Sequence, residues 1–205
     1  MIPSAKIVCI FRHPAQRIFS LYRLKRAYGM IPWTLEQAIQ RDPELLESGR
    51  YATHLRTWQC AFGAHQVMAT LYEDLRKDPQ SYIDCLADFI GIPRFVLTQP
   101  QVRCVHTSEG LTVPRNYYWT RSAAAVAEWL KARRLDGLVA TVKKSPLIKL
   151  FLGGGAALEG LSPDLSFHLH EILKREVEEL EALLNRDLSG WKSANAVPRA
   201  VPAAA

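Results

Sequence analysis

The pattern of hydrophobic and polar residues changes abruptly near the N-terminus, at Arg12. The five residues that follow Lys6 are apolar without alternation, which is typical of a strand buried on both faces of a parallel sheet. Pro14 then suits the first position of a helix, because proline has no N–H to leave unpaired and its φ is already near the helical value. We therefore expect a central strand here, followed by a helix towards Gly29.

The rest of the chain shows helical spacing with one further strand. Together with the unbroken apolar run of the first strand, this indicates an α/β fold with a short parallel sheet and a helical C-terminal half. The predicted elements are a helix over 35–46 capped by Thr34, a helix over 51–62 with Tyr51, Leu55, Trp58 and Phe62 on one buried face and Gly63 at its end, a strand over 66–72, a helix from Pro79 to Gly91, and helices over 122–134, 137–144 and 163–185.

Length and composition fit one ordinary globular domain. The chain has 205 residues, of which 48% are hydrophobic and 22% are charged, so extensive disorder is excluded. A tail rich in alanine and proline, residues 194–205, is expected to be disordered. No apolar run reaches the roughly 20 residues that span a bilayer, and no secretory signal is present. We therefore expect a cytoplasmic protein without a membrane partner.

Charge favours anionic partners. The net charge is +6, and no acidic residue precedes Glu36. A basic segment of this kind predicts binding of a nucleotide, an acidic sugar or nucleic acid. Nucleic acid is the weakest of these, because no nucleic-acid-binding motif is present. The basic residues of this segment are Lys6, Arg12, Arg17, Arg23, Lys25 and Arg26.

The cysteines and glycines do not form metal or nucleotide motifs. The four cysteines lack the paired spacing of a zinc site, so we expect reduced thiols and no metal. The sequence leaves open whether Cys85 forms a disulfide with Cys60 or with Cys104. The glycine triplet at 153–155 has no following Gly-Lys and no preceding strand, so it is not a P-loop.

A phosphate site is predicted where the first strand meets the first helix. Ligands of open α/β sheets bind beyond the carboxyl ends of the strands, and a helix N-terminus there attracts an anion. Arg12 offers a bidentate guanidinium, and Arg17 and Ser20 are three residues apart and so share a helix face. Taken alone, Arg12 or Ser20 is more simply interpreted as a residue that faces solvent. Their combination predicts a phosphate site.

The pattern R-x-P-x-x-R-x-x-S-x-Y, from Arg12 to Tyr22, resembles a segment of the sulfotransferases that use 3′-phosphoadenosine 5′-phosphosulfate (PAPS). The resemblance implies that Arg12 and Ser20, with Arg17 nearby, hold the 3′-phosphate of PAPS or of adenosine 3′,5′-bisphosphate. A second pattern, Y-x-x-H-L-x-x-W, is similar to one in heparan sulfate N-sulfotransferases. It implies that His54 lies near the sulfuryl group as a catalytic residue that steers or protonates it. The alternative is a packed histidine with one hydrogen bond.

Other segments resemble the same family. They are Y-E-D-L at 72–75 and R-D-L-x-x-W at 186–191. By resemblance, a late basic loop closes over the nucleotide through Arg115 or Arg121, and the aromatic residues at 117–119 either stack on adenine or pack as core. We expect Glu73 to be a structural partner of an arginine and not a catalyst, and residues 74–77 to form a short turn of helix. The glutamates at 176, 178, 179 and 181 are expected mostly on the solvent side of the last helix.

The resemblance implies a P-loop-like three-layer sulfotransferase fold. It also implies transfer of a sulfuryl group from PAPS to a hydroxyl or amine of a carbohydrate or small molecule, with no metal. The strand, lysine-bearing phosphosulfate loop and helix with which that fold opens are not recognisable in this sequence. We therefore expect residues 1–193 to form a partial sulfotransferase domain that lacks this first strand–loop–helix and has weak or no activity alone.

Three accounts of such a chain stay open. In the first, the chain is the C-terminal part of a longer or split sulfotransferase, which a missing N-terminal segment or a second copy of the chain would complete. In the second, the chain is a non-catalytic module that binds nucleotides through the 3′-phosphate, or binds polyanions. The third account, binding of nucleic acid through backbone phosphates, is the least favoured.

Overall fold

The computed structural model describes residues 4–98, 117–133 and 160–192. These residues divide into two compact units. The first contains the described residues of 4–18, 46–98 and 162–192, and the second contains those of 19–45, 117–133 and 160–161. The predicted helix at 137–144, the glycine triplet and the C-terminal tail lie outside the described residues.

The sheet of the first unit has two parallel strands, β1 (Ile7–Phe11) and β2 (Val67–Leu71). Ile7 pairs with Val67 and Phe11 with Leu71, which confirms the short parallel sheet. Within the described residues, β2 is the one neighbour of β1, and the Ile10 side chain is 52% exposed. The prediction of a strand buried on both faces is therefore wrong for this part of the chain.

Local sequence signals define most helix ends. Pro14 begins α1 (Pro14–Ala27), and Gly63, with φ of 85°, ends α4 (Tyr51–Phe62). Asp78 accepts the N–H of Ser81 at the start of α6 (Pro79–Ile90), and Gly91 ends that helix in the left-handed conformation that glycine adopts most easily. The other helices of the first unit are α5 (Tyr72–Lys77) and α8 (Pro163–Leu184).

Two predicted helices of the second unit have different bounds in the structure. The helix predicted over 35–46 is two helices, α2 (Leu35–Arg41) and α3 (Pro43–Glu47), because Asp42 takes the extended backbone favoured before a proline. Thr34 caps α2 as predicted and forms a capping box with Gln37. The helix predicted from residue 122 begins earlier, as α7 (Tyr117–Ala132).

The core of the first unit joins β1, β2, α4 and α8. Phe11 and Leu71 from the strands pack against Leu55 of α4 and Leu180 of α8. The buried apolar residues of α8 are Leu165, Leu169, Leu173, Val177 and Leu180, whereas Ile172 is 40% exposed. Among the described residues, no helix is both long and apolar enough to cross a membrane.

Two glutamates on the acidic side of α8 bond to residues of α4. Glu176 accepts hydrogen bonds from the Thr53 backbone N–H at 3.2 Å and from the Thr53 hydroxyl at 2.6 Å. The Thr53 N–H lies in the first turn of α4, so it has no partner within that helix. Glu179 pairs with Arg56 of the same helix. The expected solvent-facing position is therefore wrong for Glu176 and Glu179, which hold α4 against α8.

Replacement of Glu176 by alanine is expected to lower the free energy of unfolding by about 1 kcal/mol, the usual effect of losing a helix cap. Urea denaturation followed by circular dichroism measures this. Glu178→Ala is the matched control, because Glu178 is an exposed residue of the same helix. Equal losses in both variants would show that Glu176 does not cap α4.

Candidate functional site

A cavity of about 410 Å³ lies at the carboxyl end of β1. It contains three of the predicted site residues, Arg12, Arg17 and His54, and all of its lining belongs to the first unit. The lining residues are Cys9, Ile10, Phe11, Arg12, Arg17, Ser48, Tyr51, His54, Leu55, Trp58 and Tyr72.

Two guanidinium groups give this cavity its positive charge. Burial lowers the pKa of Arg12, and the like charge of Arg17 acts in the same direction, whereas Tyr51, Tyr72 and Glu73 oppose it. An arginine nevertheless keeps its proton, because its ordinary pKa lies so far above neutral pH. An anion stabilises a partly desolvated cation such as Arg12, so the cavity favours an anionic ligand.

Tyr51 positions Arg12. Its ring lies 4.7 Å from the ring of Phe11, and its side chain is buried. Burial raises the pKa of Tyr51 to about 12, although the positive charges of Arg12 and Arg17 and a hydrogen bond from the Arg12 backbone oppose the increase. Tyr51 is therefore neutral at physiological pH. Helical spacing assigns this residue to the core and does not show its second role, which the hydrogen-bonding need of a buried tyrosine hydroxyl indicates.

His54 lies on the exposed side of α4, at the cavity. Its Nε2 is 2.9 Å from the carbonyl oxygen of Glu47. Because a carbonyl oxygen only accepts, Nε2–H is the donor, and Nδ1 is the nitrogen that takes up a proton. The single hydrogen bond is the one that the packed-histidine alternative expects, but the side chain is exposed and not packed, and its position in the cavity fits the functional alternative. The role of His54 near a sulfuryl group stays a prediction.

Trp58 does not belong to the buried face of α4, contrary to the prediction. Its ring is 42% exposed, lines the cavity and lies 5.7 Å from the ring of Phe62. The buried residues of α4 are Tyr51, Ala52 and Leu55, all in its first half. Helical spacing alone does not show where the core beneath a helix ends.

The acidic pair after β2 supports the C-terminal segment. Glu73 accepts a hydrogen bond from the Trp191 indole N–H at 3.1 Å. Asp74 forms a bidentate ion pair with Arg186, whose hydrogen bonds hold the pKa of Asp74 below its ordinary value. Glu73 therefore has a structural contact as predicted, but its partner is the Trp191 indole, and the predicted arginine partner pairs with Asp74 instead.

Comparison with known proteins identifies the family of this chain. A family model described as sulfotransferase domain matches residues 1–108, more than half of the chain. This chain belongs to the sulfotransferase family. Across 110 residues it is 30% identical to bifunctional heparan sulfate N-deacetylase/N-sulfotransferase 2 of Bos taurus. Across 106 residues it is 30% identical to the corresponding protein 1 of Mus musculus.

These matches cover a small part of the relatives. They span 47% and 45% of this chain but only 12% of each relative. Among solved structures, a sulfotransferase from Alicyclobacillus acidocaldarius has a TM-score of 0.56 and 19% sequence identity, over 93% of this chain and 59% of that one. This likeness confirms the predicted sulfotransferase fold.

The remaining predicted site residues of this sulfotransferase-family chain belong to the second unit or fall outside the described residues. Ser20 is a half-buried residue of α1 within the second unit, and Arg121 lies in α7 of the same unit. Arg115 lies outside the described residues. The Tyr117 hydroxyl donates to the Met30 carbonyl at 3.3 Å, and Tyr118 is 78% exposed. Tyr118 is therefore not a core residue, and the nucleotide contacts of Ser20, Arg115 and Arg121 stay predictions.

Metal ligands do not cluster in the part of the chain that the structure describes. No group of three or more His, Cys, Asp or Glu side chains there could hold an ion. Cys9, Cys60 and Cys85 are free thiols, so the structure does not contain the Cys60–Cys85 disulfide that the sequence left open.

His13, next to Arg12, gives this sulfotransferase domain a pH dependence. The side chain is 4% exposed, and burial, together with the nearby His170, lowers its pKa to about 4. The unfolded chain therefore binds a proton near pH 6.5 that the folded chain binds only near pH 4. Stability is present above that window and is lost as the pH falls through it.

Between pH 7 and pH 4.5, we expect the wild-type chain to lose about 2 kcal/mol of stability more than His13→Leu loses. Urea denaturation at a series of pH values measures the free energy of unfolding of both proteins. The contribution of titrating carboxylates is nearly the same in both and largely cancels in the difference. Parallel curves for the two proteins would contradict the neutral state of buried His13.

Proposed function

We propose that this chain binds PAPS or adenosine 3′,5′-bisphosphate, with the 3′-phosphate at Arg12 and Arg17, and serves sulfuryl transfer to a carbohydrate or small-molecule acceptor. The observation that carries the proposal is the meeting of two guanidinium groups and His54 in one cavity at the carboxyl end of β1. Family membership supports it. Ser20, Arg115 and Arg121 are proposed as further nucleotide contacts.

The proposed chemistry breaks the bond between sulfur and the 5′-phosphate oxygen and forms a bond from sulfur to an acceptor oxygen or nitrogen. The acceptor loses one proton to the solvent, and adenosine 3′,5′-bisphosphate leaves. Arg12 fixes the nucleotide by its remote phosphate, which orients the reacting group in line. In its protonated form, His54 steers or protonates the sulfuryl group from Nδ1, while its Nε2 stays bonded to Glu47.

The proposed acceptor is a hydroxyl or amine of a carbohydrate. The curated relatives are named as heparan sulfate N-sulfotransferases, which favours an amine. Trp58 supports a sugar, because its half-exposed ring at the cavity offers an apolar face. The free thiols at Cys60 and Cys85 favour a reducing compartment, so we also propose the cytoplasm.

Efficient transfer is proposed to need a further element. The leaving phosphate gains charge during the reaction, and a lysine in a phosphosulfate loop is the family's means of neutralising it. This sequence contains no such recognisable loop. We propose that a further segment or a second copy of the chain supplies it.

The test is calorimetric titration of the chain with adenosine 3′,5′-bisphosphate and with AMP, which lacks the 3′-phosphate. A charge-assisted bidentate contact predicts an affinity about 10- to 100-fold higher for the bisphosphate. Equal affinities would contradict the proposed site. Salt-sensitive binding of a sulfated oligosaccharide, without a preference for the 3′-phosphate, would instead support the polyanion-binding module.

A further inference from the structure

A second, smaller cavity lies where the beginning of α1 packs against α8. Its volume is about 10 Å³. His13 and His170 provide the titratable groups of its lining, and the rest, including Leu169, Leu173 and Trp191, is largely apolar. All of these residues belong to the first unit. The two imidazoles therefore face an otherwise apolar space.

His13 lacks a hydrogen-bond partner in this space. The residue is 4% exposed, and neither of its ring nitrogens has a partner among the described residues. Because its pKa is about 4, the ring is neutral at pH 7, with one N–H donor and one acceptor nitrogen. Buried polar groups in native proteins almost always bond to protein or to ordered water. The unpaired ring thus indicates a missing partner.

His170 is the second polar group at the cavity. It projects from α8 and its side chain is 11% exposed. It is close enough to His13 that its positive form lowers the pKa of that residue. The charged group beside it is Glu171, whose carboxylate is 4.0 Å from the His170 Nε2, beyond hydrogen-bond distance.

The size and polarity of the cavity select its occupant. A volume of about 10 Å³ is close to the least that holds one water molecule, and a hydrated ion is larger. Cavities that stay empty are apolar, whereas polar ones hold water bonded to two to four groups. We propose that one water molecule occupies this cavity and bridges the rings of His13 and His170. It accepts from an N–H of one ring and donates to the unprotonated nitrogen of the other.

This water would join the segment that carries Arg12 to the C-terminal helix. Arg12 directly precedes His13, so a fixed His13 ring also fixes the backbone from which the guanidinium projects. The effect on nucleotide binding rests on the proposed function, whereas the presence of the water does not. His13 and His170 are positioning residues in this scheme.

The test is nuclear magnetic resonance of the full chain labelled with ¹⁵N-histidine, in which rotating-frame cross-peaks report a long-lived water near a ring proton. We expect such a cross-peak at His13 in the wild type, its retention in His170→Gln and its loss in His170→Leu. His168→Leu is the matched control, because His168 is an exposed residue of the same helix, and it should keep the cross-peak.

Two results would overturn the proposal. One is a folded wild-type chain without the water cross-peak. The other is a scalar coupling between nitrogens of the two rings, which would show a direct N–H···N bond. Unfolding measurements add a second readout. The effects of His13→Leu and His170→Leu should be non-additive by about fivefold in the unfolding equilibrium constant, as for residues that share a partner, and additivity would also count against the water.

The consequence for the phosphate site is measured separately. His170→Leu is expected to bind adenosine 3′,5′-bisphosphate about threefold more weakly than His168→Leu does, because Arg12 is less well fixed. A wild-type chain that shows the water but binds no nucleotide would refute the proposed function and leave the water in place. Unchanged affinity in His170→Leu would refute only the positioning role.

Discussion

Replacement of Lys25 by methionine is expected to lower the free energy of unfolding of the second unit by about 3–5 kcal/mol, the usual result of removing one partner from a buried ion pair. The Lys25 Nζ lies 2.6 Å from a carboxylate oxygen of Asp42 and 2.6 Å from one of Glu44. Only 8% of the Lys25 side chain and 15% of the Asp42 side chain are exposed. Without Lys25, the Asp42 carboxylate stays buried and uncompensated.

The pKa of Lys25 agrees with this role. Burial acts to lower it, but the hydrogen bonds to Asp42 and Glu44 outweigh burial, so the pKa is raised. A raised pKa in the folded state means that the contribution is complete below the ordinary pKa of lysine and is lost only as the pH rises through the folded value. The pair is therefore intact throughout the neutral range.

Urea denaturation of Lys25→Met and of Lys174→Met makes the comparison, because Lys174 is exposed on α8. The control should change stability by less than about 0.5 kcal/mol. If Lys25→Met does not fold, the double variant with Asp42→Leu should recover the fold, since it removes the unpaired charge. A loss below about 1 kcal/mol in Lys25→Met would contradict the buried pair.

Lys25 also shows why charge counted along a sequence overstates the free charge of a surface. Six basic residues without a nearby acidic residue predicted an anionic ligand. The structure pairs Lys25 with two carboxylates from the next helices and bonds Lys6 to carbonyl groups at the end of α6. Arg12 and Arg17 are the members of this segment that line the cavity. The expected anion therefore depends on fewer residues than the composition indicates.

The ends of several helices and of the first strand were predicted accurately from signals in neighbouring residues. Thr34 begins a helix, Gly63 and Gly91 end helices, and the strand at β1 stops at Arg12, because each depends on local backbone preferences. The missed division at Asp42 was also local, and the proline after it was the available signal.

Contacts between distant segments could not be predicted. The bond from Thr53 to Glu176 joins residues 123 positions apart, and that from Trp191 to Glu73 joins residues 118 apart. Whether Trp58 faces the core or the cavity, and whether His13 is buried, depends on which helix packs beside it. Helical spacing gives the faces of a helix but not its neighbours.

The second large effect is expected at Arg12, where Arg12→Gln should abolish the preference for a 3′-phosphate. Glutamine has a similar length but no charge and cannot form the bidentate contact of a guanidinium. The affinity for adenosine 3′,5′-bisphosphate should fall about 10- to 100-fold, whereas that for AMP should change little. Arg175→Gln, at a side chain that is 88% exposed on α8, is the matched control.

The most direct test of the account is therefore a thermodynamic cycle, measured by calorimetry on the folded wild-type and Arg12→Gln chains with adenosine 3′,5′-bisphosphate and AMP. We expect that the difference in binding free energy between the two ligands, about 1.5–3 kcal/mol in the wild type, nearly vanishes in Arg12→Gln and persists in Arg175→Gln. A preference for the 3′-phosphate that survives in a folded Arg12→Gln chain would show that the cavity at the end of β1 is not the nucleotide site.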